Sequence, residues 1–527
     1  MKKKVALMLS ALMCSTMIFS SCSKDESKTL YIEMENAGYG IEWIDPLIEM
    51  FEDEHPEIEV KKTYITKGSK QILGKILSGT SNIDISIVET TIMQFAQKKV
   101  SANGQVYNSP FEDLTEFYNE TVPGENVSIK NKMTDAWREY NTVYENDQAK
   151  YYCVPWMQSL FSFVVNYDVF DKTKYELPNT TDEMFALFDN LKADGITPII
   201  DSFSASYLQG IVDLWIAQYN GSEAMKLYYQ GYDIGATNPM DNRYVDTMVL
   251  VPGLEESLAV VSKMIAPADS SKEANATTTY ISDYKTSEFT EAQNVFMEAK
   301  KDKIAFMPNG LWLEREMEAN YDKGEVNLEF VKVPVISALG EKLGITDAEL
   351  SAIIDYVDGT VTVEPVFSST KGLTNAEVIE TIRDSRKMIT AFHDFGAMIT
   401  SYSTKKDLAK DFLKLLATNK GIEAMLTTCG GQAPFKYDIE NSTIKNQLSN
   451  FAYSGNKMIQ TGKYFFSETT DLITKNSLSF CMVENISGKL GAIKSSDRWS
   501  VDKLYQTINT TAKENWSIWL REAGISK

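Results

Sequence analysis

Aromatic, carboxylate and amide side chains recur directly after stretches that the sequence predicts to be strands. Rings can cover the apolar C–H face of a sugar while carboxylates and amides hydrogen-bond its hydroxyl groups, so this mixture suits a polyhydroxylated ligand. Ligands of open α/β sheets bind at the carboxyl ends of the strands, which is where these side chains are expected. The candidates at strand ends are Glu35, Asn36, Tyr39, Glu89, Phe203, Tyr207, Asn309 and Trp312.

The predicted elements that must position these candidate residues alternate between strand and helix. Residues 29–34 predict a first strand, followed by a glycine-bearing loop at 35–40 and a helix with apolar residues on one face from Ile41 to Phe51. Residues 83–88 form a nearly continuous apolar run, as a buried parallel strand would. The same alternation resumes after residue 160, so we predict the α/β class with open sheets. Trp43 and Trp215 lie within helices and are predicted to be core, and Trp516 and Trp519 to hold the last helix against its lobe.

The composition narrows the function classes. The chain has 527 residues, and 73 acidic against 52 basic side chains give a formal net charge of −21. Such a surface repels phosphate backbones and anionic headgroups, so we expect neither nucleic-acid binding nor peripheral membrane binding. With 43% hydrophobic residues the composition is globular, and the length predicts two or more packed units.

Residues for metal or catalytic chemistry are scarce. His55 and His393 are the only histidines, which excludes a site built from several histidine ligands. Cys153, Cys429 and Cys481 form no close pair, so we predict small core residues rather than a zinc, redox or disulfide site. The sequence also lacks a P-loop, a nucleophile elbow and an HExxH motif. We therefore expect no metal, no cofactor and no enzymatic activity.

The amino terminus predicts export. Residues 1–21 combine three lysines, a short apolar run and small residues, which is typical of a secretory signal peptide. The segment resembles a bacterial lipoprotein signal, in which Cys22 becomes the lipidated first residue and residues 22–28 form a polar tether. Cys14 is the competing position, but Met13 before it is too large for the small-residue site. An ordinary secretory cleavage that leaves Cys22 without a role is the alternative.

Four stretches in order resemble a known family. They are the acidic helix end at 51–60, the segment 149–156 continued by 164–170, the strand 303–312 that ends in Gly-x-Trp, and the return segment 396–435. Together they resemble the extracellular solute-binding proteins of sugar-transporting ABC importers, the maltose-binding-protein-like group. Two regions, at about 232–290 and 336–385, fall outside the likeness and are predicted to be insertions.

The resemblance implies a periplasmic-binding-protein-like fold of two α/β lobes that close on ligand at a hinge. Residues 29–157 and 394–440 would form the first lobe, and residues 158–393 and 441–527 the second. Within the second insertion, residues 346–350 predict one short helix and 355–364 a polar loop with strand character. Thr404 and Asp407 predict a capping box at the start of the lysine-rich helix.

The resemblance also adds candidate site residues at the crossings between lobes. These are Trp156, Gln158, Phe395 and Gln432, and the family implies that Trp312 stacks on sugar. The expected function is a monomeric, lipid-anchored receptor on the outer face of the cell membrane, which binds a sugar and delivers it to permease subunits. The alternatives are a receptor for a peptide, amino acid, polyamine or phosphate, and a secreted glycoside hydrolase whose acids could be Glu35 and Glu89.

Overall fold

The computed structural model describes residues 26–90, 92–202, 207–283, 287–298, 302–391, 395–466 and 486–522. Within these ranges the chain forms two α/β lobes, each around an open sheet, which confirms the predicted fold class. The strands are β1 (Thr29–Asn36), β2 (Glu59–Thr66), β3 (Ile85–Val88), β4 (Val100–Ala102), β5 (Gln105–Tyr107), β6 (Val143–Glu145), β7 (Gln148–Lys150), β8 (Val154–Pro155), β9 (Phe161–Asn166), β10 (Thr197–Ile199), β11 (Ile304–Gly310), β12 (Leu328–Val331), β13 (Met388–Thr390), β14 (Gly396–Ile399) and β15 (Lys463–Phe465).

Helices cover the sheets and fill the connections between strands. They are α1 (Asp45–Glu54), α2 (Ser69–Leu77), α3 (Thr115–Asn119), α4 (Ile129–Lys132), α5 (Asp135–Tyr140), α6 (Thr181–Ala193), α7 (Tyr207–Asn220), α8 (Ser222–Tyr229), α9 (Leu254–Ile265), α10 (Phe289–Glu298), α11 (Leu313–Glu316), α12 (Ala338–Leu343), α13 (Asp347–Asp358), α14 (Asn375–Lys387), α15 (Lys406–Lys414), α16 (Asn419–Cys429), α17 (Asn450–Thr461), α18 (Ile486–Leu490) and α19 (Val501–Glu522).

The first sheet joins strands that are far apart in the sequence. Its order is β2-β1-β3-β14-β8, with β1 parallel to both β2 and β3, and β14 antiparallel to β3 and β8. Leu30, Ile32 and Met34 of β1 are fully buried. The carboxyl ends of β1 and β3 therefore lie side by side at one edge of this sheet.

The second sheet has the order β10-β11-β9-β13-β15, and β12 pairs with β9. Along the described strands the chain passes between the sheets after β8, after β13 and again between β14 and β15. Backbone hydrogen bonds hold these crossings together: Trp156 N–H donates to Phe395 C=O (3.1 Å) and Gln158 N–H to Gln432 C=O (2.8 Å). The crossings thus form one compact connection between the lobes.

Both predicted insertions pack around α7 in the second lobe. Helix α9 from the first insertion and helices α12 and α14 from the second contact α7, whose Trp215 is fully buried and donates its indole N–H to Pro334 C=O (3.1 Å). The long helix α19 packs on α9, where the indole N–H of Trp516 donates to Val245 C=O (3.3 Å). The insertions therefore enlarge the core of the second lobe.

Several local expectations were wrong. Strand β1 continues through Glu35 and Asn36, which were predicted to be loop. Helix α13 is longer than the short helix predicted at 346–350 and replaces the start of the predicted loop at 355–364. A capping box of Thr346 and Glu349 begins it, and Gly359, in the left-handed conformation, ends it only after Asp358. The capping box predicted at Thr404 and Asp407 does not form: α15 begins at Lys406 without a side-chain cap, since Lys405 occupies the capping position.

Asp84 connects β1 to the return segment of the first lobe. Its side chain is nearly buried and accepts hydrogen bonds from Tyr31 N–H (3.0 Å), the Ser403 hydroxyl (2.7 Å) and the Lys405 ammonium (3.3 Å). Tyr31 lies 53 residues from Asp84 in the sequence, and Ser403 and Lys405 lie more than three hundred residues from it. The carboxylate therefore connects segments that only the fold brings together.

We predict that Asp84→Ala lowers the free energy of unfolding by about 3 kcal/mol, because three donors, one of them charged, lose their shared acceptor. Urea denaturation of the exported domain measures this. Asp53→Ala, at an exposed position of α1, is the matched control and is expected to change the free energy by less than about 0.5 kcal/mol. Equal stability of the two variants would contradict a structural role for Asp84.

Candidate functional site

Seven aromatic side chains meet where the two lobes touch, and we call them the aromatic cluster. Its members are Tyr39, Trp43, Trp156, Phe161, Tyr207, Trp312 and Phe395. The ring of Tyr39 lies edge-on to Trp156 (6.2 Å), Trp312 (6.1 Å) and Phe395 (5.6 Å). The structure thus brings together five residues that the sequence singled out: Tyr39, Trp156, Tyr207, Trp312 and Phe395.

Both lobes contribute to this cluster. Tyr39 follows β1, and Trp156 and Phe395 flank β8 and β14 of the first sheet. Trp312 follows β11 of the second sheet and Tyr207 begins α7. The contact between Tyr39 and Trp312 therefore crosses from one lobe to the other, and closure leaves the two side chains 1% and 3% exposed.

Trp312 is held in place by neighbours that are small or flat. Its ring stacks on Phe161 (6.2 Å between centroids), and its N–H donates to the Tyr207 hydroxyl (3.4 Å). A Cβ at Gly310 would lie 2.2 Å from the indole ring, and one at Gly38, in the other lobe, 3.0 Å from its Cγ. Glycine at both positions is what allows the indole to lie between β11 and the loop after β1.

Three carboxyl groups, Glu35, Glu89 and Glu316, lie beside the aromatic cluster, and we call them the carboxyl trio. One oxygen of Glu35 accepts hydrogen bonds from the Ser69 hydroxyl and from Glu89 N–H (3.0 Å). Glu316, which comes from the second lobe, accepts one from the Gln293 amide (2.7 Å). Among the described residues the buried Oε1 of Glu89 has no hydrogen-bond partner.

Burial dominates the electrostatics of the trio. It raises the pKa of Glu89 to about 8, and the neighbouring carboxylates of Glu35 and Glu316 add to the rise. Burial likewise raises the pKa of Glu316 to about 7, against the opposing effects of the Gln293 hydrogen bond and the Lys67 ammonium. The closed lobes therefore favour protonated carboxyl groups at positions that would be ionised in water.

Ion pairs also join the lobes. Arg315 of α11, in the second lobe, binds Glu42, which lies just before α1 in the first lobe. It also binds Glu318, three residues further along its own chain segment. Lys226 of α8 lies 3.6 Å from Glu139 of α5. These surface pairs fix the closed arrangement only weakly, because exposed ion pairs contribute about 0–1 kcal/mol each.

A cleft of about 1860 Å³ lies between the lobes and includes Gln158 and Gln432 in its wall. Both side chains are 2% exposed, and neither carbonyl oxygen has a partner in the described chain. Tyr140 and Phe466 stack across part of the cleft (4.4 Å). Its volume exceeds the range of fitted small-molecule pockets, so it is an open gap between lobes. Both predicted residues therefore line the cleft between the lobes.

The remaining predicted residues either bond to neighbouring parts of the fold or lie outside the described residues. Asn36 ends β1, where its carbonyl accepts from Lys67 N–H (3.2 Å). Asn309 is fully buried, and its side chain bonds Gly310 N–H (2.7 Å) and the Met307 sulfur (3.6 Å) of its own strand, so it is not available to a ligand in this state. Phe203 and the lipidation candidate Cys22 lie outside the described residues.

Sequence reasoning missed part of the site. Glu316 stands four residues after Trp312 at the end of a short helix, a spacing that would have placed the two on one face. Gln293 lies in α10, and no sequence signal linked it to the ends of the strands. Trp43 was predicted to be core; it is buried, and its ring also stacks on Trp156 (4.5 Å).

Two further kinds of feature are absent from the part of the chain that the structure describes. It holds no group of three or more His, Cys, Asp or Glu side chains arranged to bind a metal ion. None of its helices has both the length and the apolar character needed to cross a bilayer.

Comparison with known proteins gives a family for the chain. The family model for bacterial extracellular solute-binding proteins matches residues 37–423, well over half of the sequence. None of the curated proteins matches the chain by sequence.

Solved structures of such proteins have a similar fold. A binding protein RafE in complex with raffinose aligns with a TM-score of 0.56 at 14% identity, over 92% of this chain and all of its own. Maltose-bound MalE3 of T. maritima aligns at 0.57 and 13%, over 92% and 99%. The ABC substrate-binding protein Lmo0181 from Listeria monocytogenes, in complex with cycloalternan, aligns at 0.55 and 13%, over 93% and 99%. At these identities the likeness establishes the fold.

We predict that Gly310→Ala opens the lobes, because the added methyl group occupies the position of the Trp312 ring and displaces the contact with Tyr39. Small-angle X-ray scattering should show a larger radius of gyration, and the tryptophan emission should shift to the red as Trp312 becomes hydrated. Gly74→Ala in α2, where a Cβ meets no atom within 4 Å, is the control and should match the wild type. An unchanged scattering curve for Gly310→Ala would show that the Trp312 contact does not hold the lobes closed.

Proposed function

We propose that this chain, which belongs to the bacterial extracellular solute-binding protein family, is a receptor that captures a carbohydrate between its lobes and delivers it to the permease of an ABC importer. The protein itself would carry out no chemistry, and ATP would be consumed by other subunits. The family is extracellular, which fits a receptor outside the cytoplasmic membrane.

The single observation that carries this proposal is the aromatic cluster. Rings from both lobes converge at the carboxyl ends of β1 and β11, with carboxyl groups beside them. A pyranose ring offers an apolar face for aromatic stacking and hydroxyl groups for carboxylates, so it complements both parts. A ligand of this kind would separate Trp312 from Tyr39 and contact both.

The proteins of similar fold bind raffinose, maltose and cycloalternan, which are all neutral saccharides. Because both lobes must contact the ligand before water leaves the site, closure would supply much of the selectivity. We propose the lobe boundaries that the sequence predicted, at 157/158, 393/394 and 440/441. They are supported by the path of the chain, which passes from one sheet to the other after β8, after β13 and between β14 and β15.

We also propose that a lipid on Cys22 anchors the receptor, with residues 22–28 as a tether and the protein as a monomer. The lysines, apolar run and small residues before Cys22 support the anchor. A single polypeptide that supplies both walls of the site needs no second copy to complete it.

We predict that Trp312→Ala weakens saccharide binding about 100-fold, or about 3 kcal/mol, because one stacking face is lost. The ligand would first be found by a thermal-shift screen of residues 24–527 against mono- and oligosaccharides, amino acids, peptides and polyamines, and its affinity then measured by calorimetry. Trp499→Ala, whose ring packs on Lys489 and Lys503 away from the cluster, is the matched control and should bind as the wild type does. Recovery of the saccharide in cleaved form would support the hydrolase instead.

We predict that Cys22→Ser moves the protein from the membrane fraction to the supernatant when it is expressed with its own signal in a bacterial host. A protein with one removable lipid anchor loses its membrane affinity with the acceptor thiol. Cys14→Ser is the control and should leave the protein in the membrane fraction. Release by Cys14→Ser but not by Cys22→Ser would contradict the proposed anchor.

A further inference from the structure

A second cavity, of about 740 Å³, is lined only by residues that the proposed boundaries assign to the second lobe. Its walls come from strands β9, β11 and β12, from helices α6, α14 and α17, and from the end of α13. The volume lies within the range of small-molecule pockets, about 300–1000 Å³, whereas the cleft between the lobes exceeds it. The cavity therefore offers room for a small molecule within a single lobe.

Aromatic rings form much of the wall of this cavity. They are those of Phe163, Tyr167, Phe188, Phe306, Phe330 and Tyr453. The four phenylalanines are only 2–4% exposed, and the rings of Phe188 and Phe306 also contact each other (6.1 Å between centroids). The wall thus presents rings that are anchored in the core, and such rings pack well against another flat apolar body.

One buried cation belongs to the same wall. Arg386, near the end of α14, is 9% exposed; its Nε donates to Asp358 Oδ2 (2.9 Å), and its Nη2 lies 2.9 Å from the same oxygen. Its buried Nη1 has no hydrogen-bond partner among the described residues. Because Nε and Nη2 use one edge of the planar guanidinium, Nη1 lies on another edge, and such an edge can donate two parallel hydrogen bonds to a carboxylate.

The carboxylates of the wall, in contrast, already have partners. Asp358 also binds the Lys332 ammonium (2.8 Å), and Glu329 binds Lys172 (2.9 Å). A buried N–H group without a partner beside paired carboxylates points to a ligand that brings an acceptor rather than a donor.

The charge of the lining also favours an anion. Its basic residues are Lys332, Arg386, Lys387 and Lys457, and its acidic residues are Glu329 and Asp358. Two ion pairs reach outside the wall, from Glu329 to Lys172 and from Lys457 to Glu440, and their outer partners cancel each other. The cavity therefore carries an excess of positive charge in a chain whose net charge is −21, and this local excess attracts anions.

We propose that this cavity is a second binding site and that its ligand is an aromatic carboxylic acid. The carboxylate accepts hydrogen bonds from the guanidinium of Arg386, and the aromatic body lies among the phenylalanine rings. An aliphatic acid would supply the same head group, but six rings in the wall favour a flat aromatic body. The site is separate from the proposed carbohydrate site, and no part of its evidence depends on that function.

Calorimetry on residues 24–527 tests the site with two matched pairs of probes: 2-naphthoate against 2-naphthamide, and octanoate against octanamide. The members of each pair share the apolar body and differ in the charge of the head group. We expect 2-naphthoate to bind at least about tenfold more tightly than 2-naphthamide, because hydrogen bonds to a charged group are worth more than neutral ones. We also expect it to bind more tightly than octanoate.

Variants assign the head-group preference to one residue. Arg386→Gln removes the charge, so the preference for 2-naphthoate over its amide should disappear, and Arg386→Lys, which keeps the charge but loses the fork, should retain only part of it. Arg383→Gln, one turn earlier in α14 and not in the wall of the cavity, is the matched control and should keep the full preference. Thermal denaturation checks that each variant is folded, and the comparison of acid and amide on the wild type needs no variant.

Hydrogen exchange locates the bound acid. Binding in the cavity should slow amide exchange in α17 and in residues 329–334, which line it, and should leave the loop at 37–40 in the first lobe unchanged. Slower exchange in that loop alone would place the acid between the lobes and refute the second site.

The other outcomes are equally decisive. Equal binding of 2-naphthoate and 2-naphthamide would refute recognition of a carboxylate, and absence of binding by both acids would refute the site itself. Tighter binding of octanoate would refute the aromatic class of ligand. A preference that survives Arg386→Gln would assign the carboxylate to another residue. None of these results bears on the carbohydrate function, which the saccharide screen tests by itself.

Discussion

The contact between Trp312 and Tyr39 is the interaction on which the closed arrangement depends. It joins a residue after β11 of the second sheet to one after β1 of the first, and the rest of the aromatic cluster packs around these two rings. Gly310 and Gly38 leave the indole the space that it fills. A larger side chain at either position would meet the indole of Trp312.

The path of the chain makes such a movable contact possible. Each sheet collects strands from distant parts of the sequence, so each lobe has its own sheet and the chain links the two lobes at the crossings. The hydrogen bonds from Trp156 to Phe395 and from Gln158 to Gln432 hold these crossings side by side. Small dihedral changes at a few adjacent residues can then rotate one lobe against the other, which is the usual geometry of hinge closure.

The sequence predicted the fold class and the family correctly, since apolar runs, strand ends and crossings carry a local signal. Five of the seven rings in the aromatic cluster were also among its candidates. It did not predict Gln293 as a neighbour of Glu316, because 23 residues and a change of element separate them and only the packing of α10 on β11 brings them together. Gln158 and Gln432 were predicted at the crossings between the lobes, and their side chains line the cleft there. The length of helix α13 was underestimated because the glycine that ends it, Gly359, lies within a stretch whose polar residues are typical of a loop.

The balance of energies at the lobe interface explains why a receptor built in this way needs its ligand. Burying a large aromatic side chain removes about 150–250 Å² from water, which at about 25 cal/mol per Å² favours closure by roughly 4–6 kcal/mol for each ring. Burying a carboxylate without a partner opposes closure by several kcal/mol, and the trio brings Glu89 and Glu316 into that position together. The two terms oppose each other: the buried rings favour closure, and the unpaired carboxyl groups resist it. A bound molecule that contacts rings of both lobes and supplies donors to the carboxyl groups removes the opposing term and retains the favourable one.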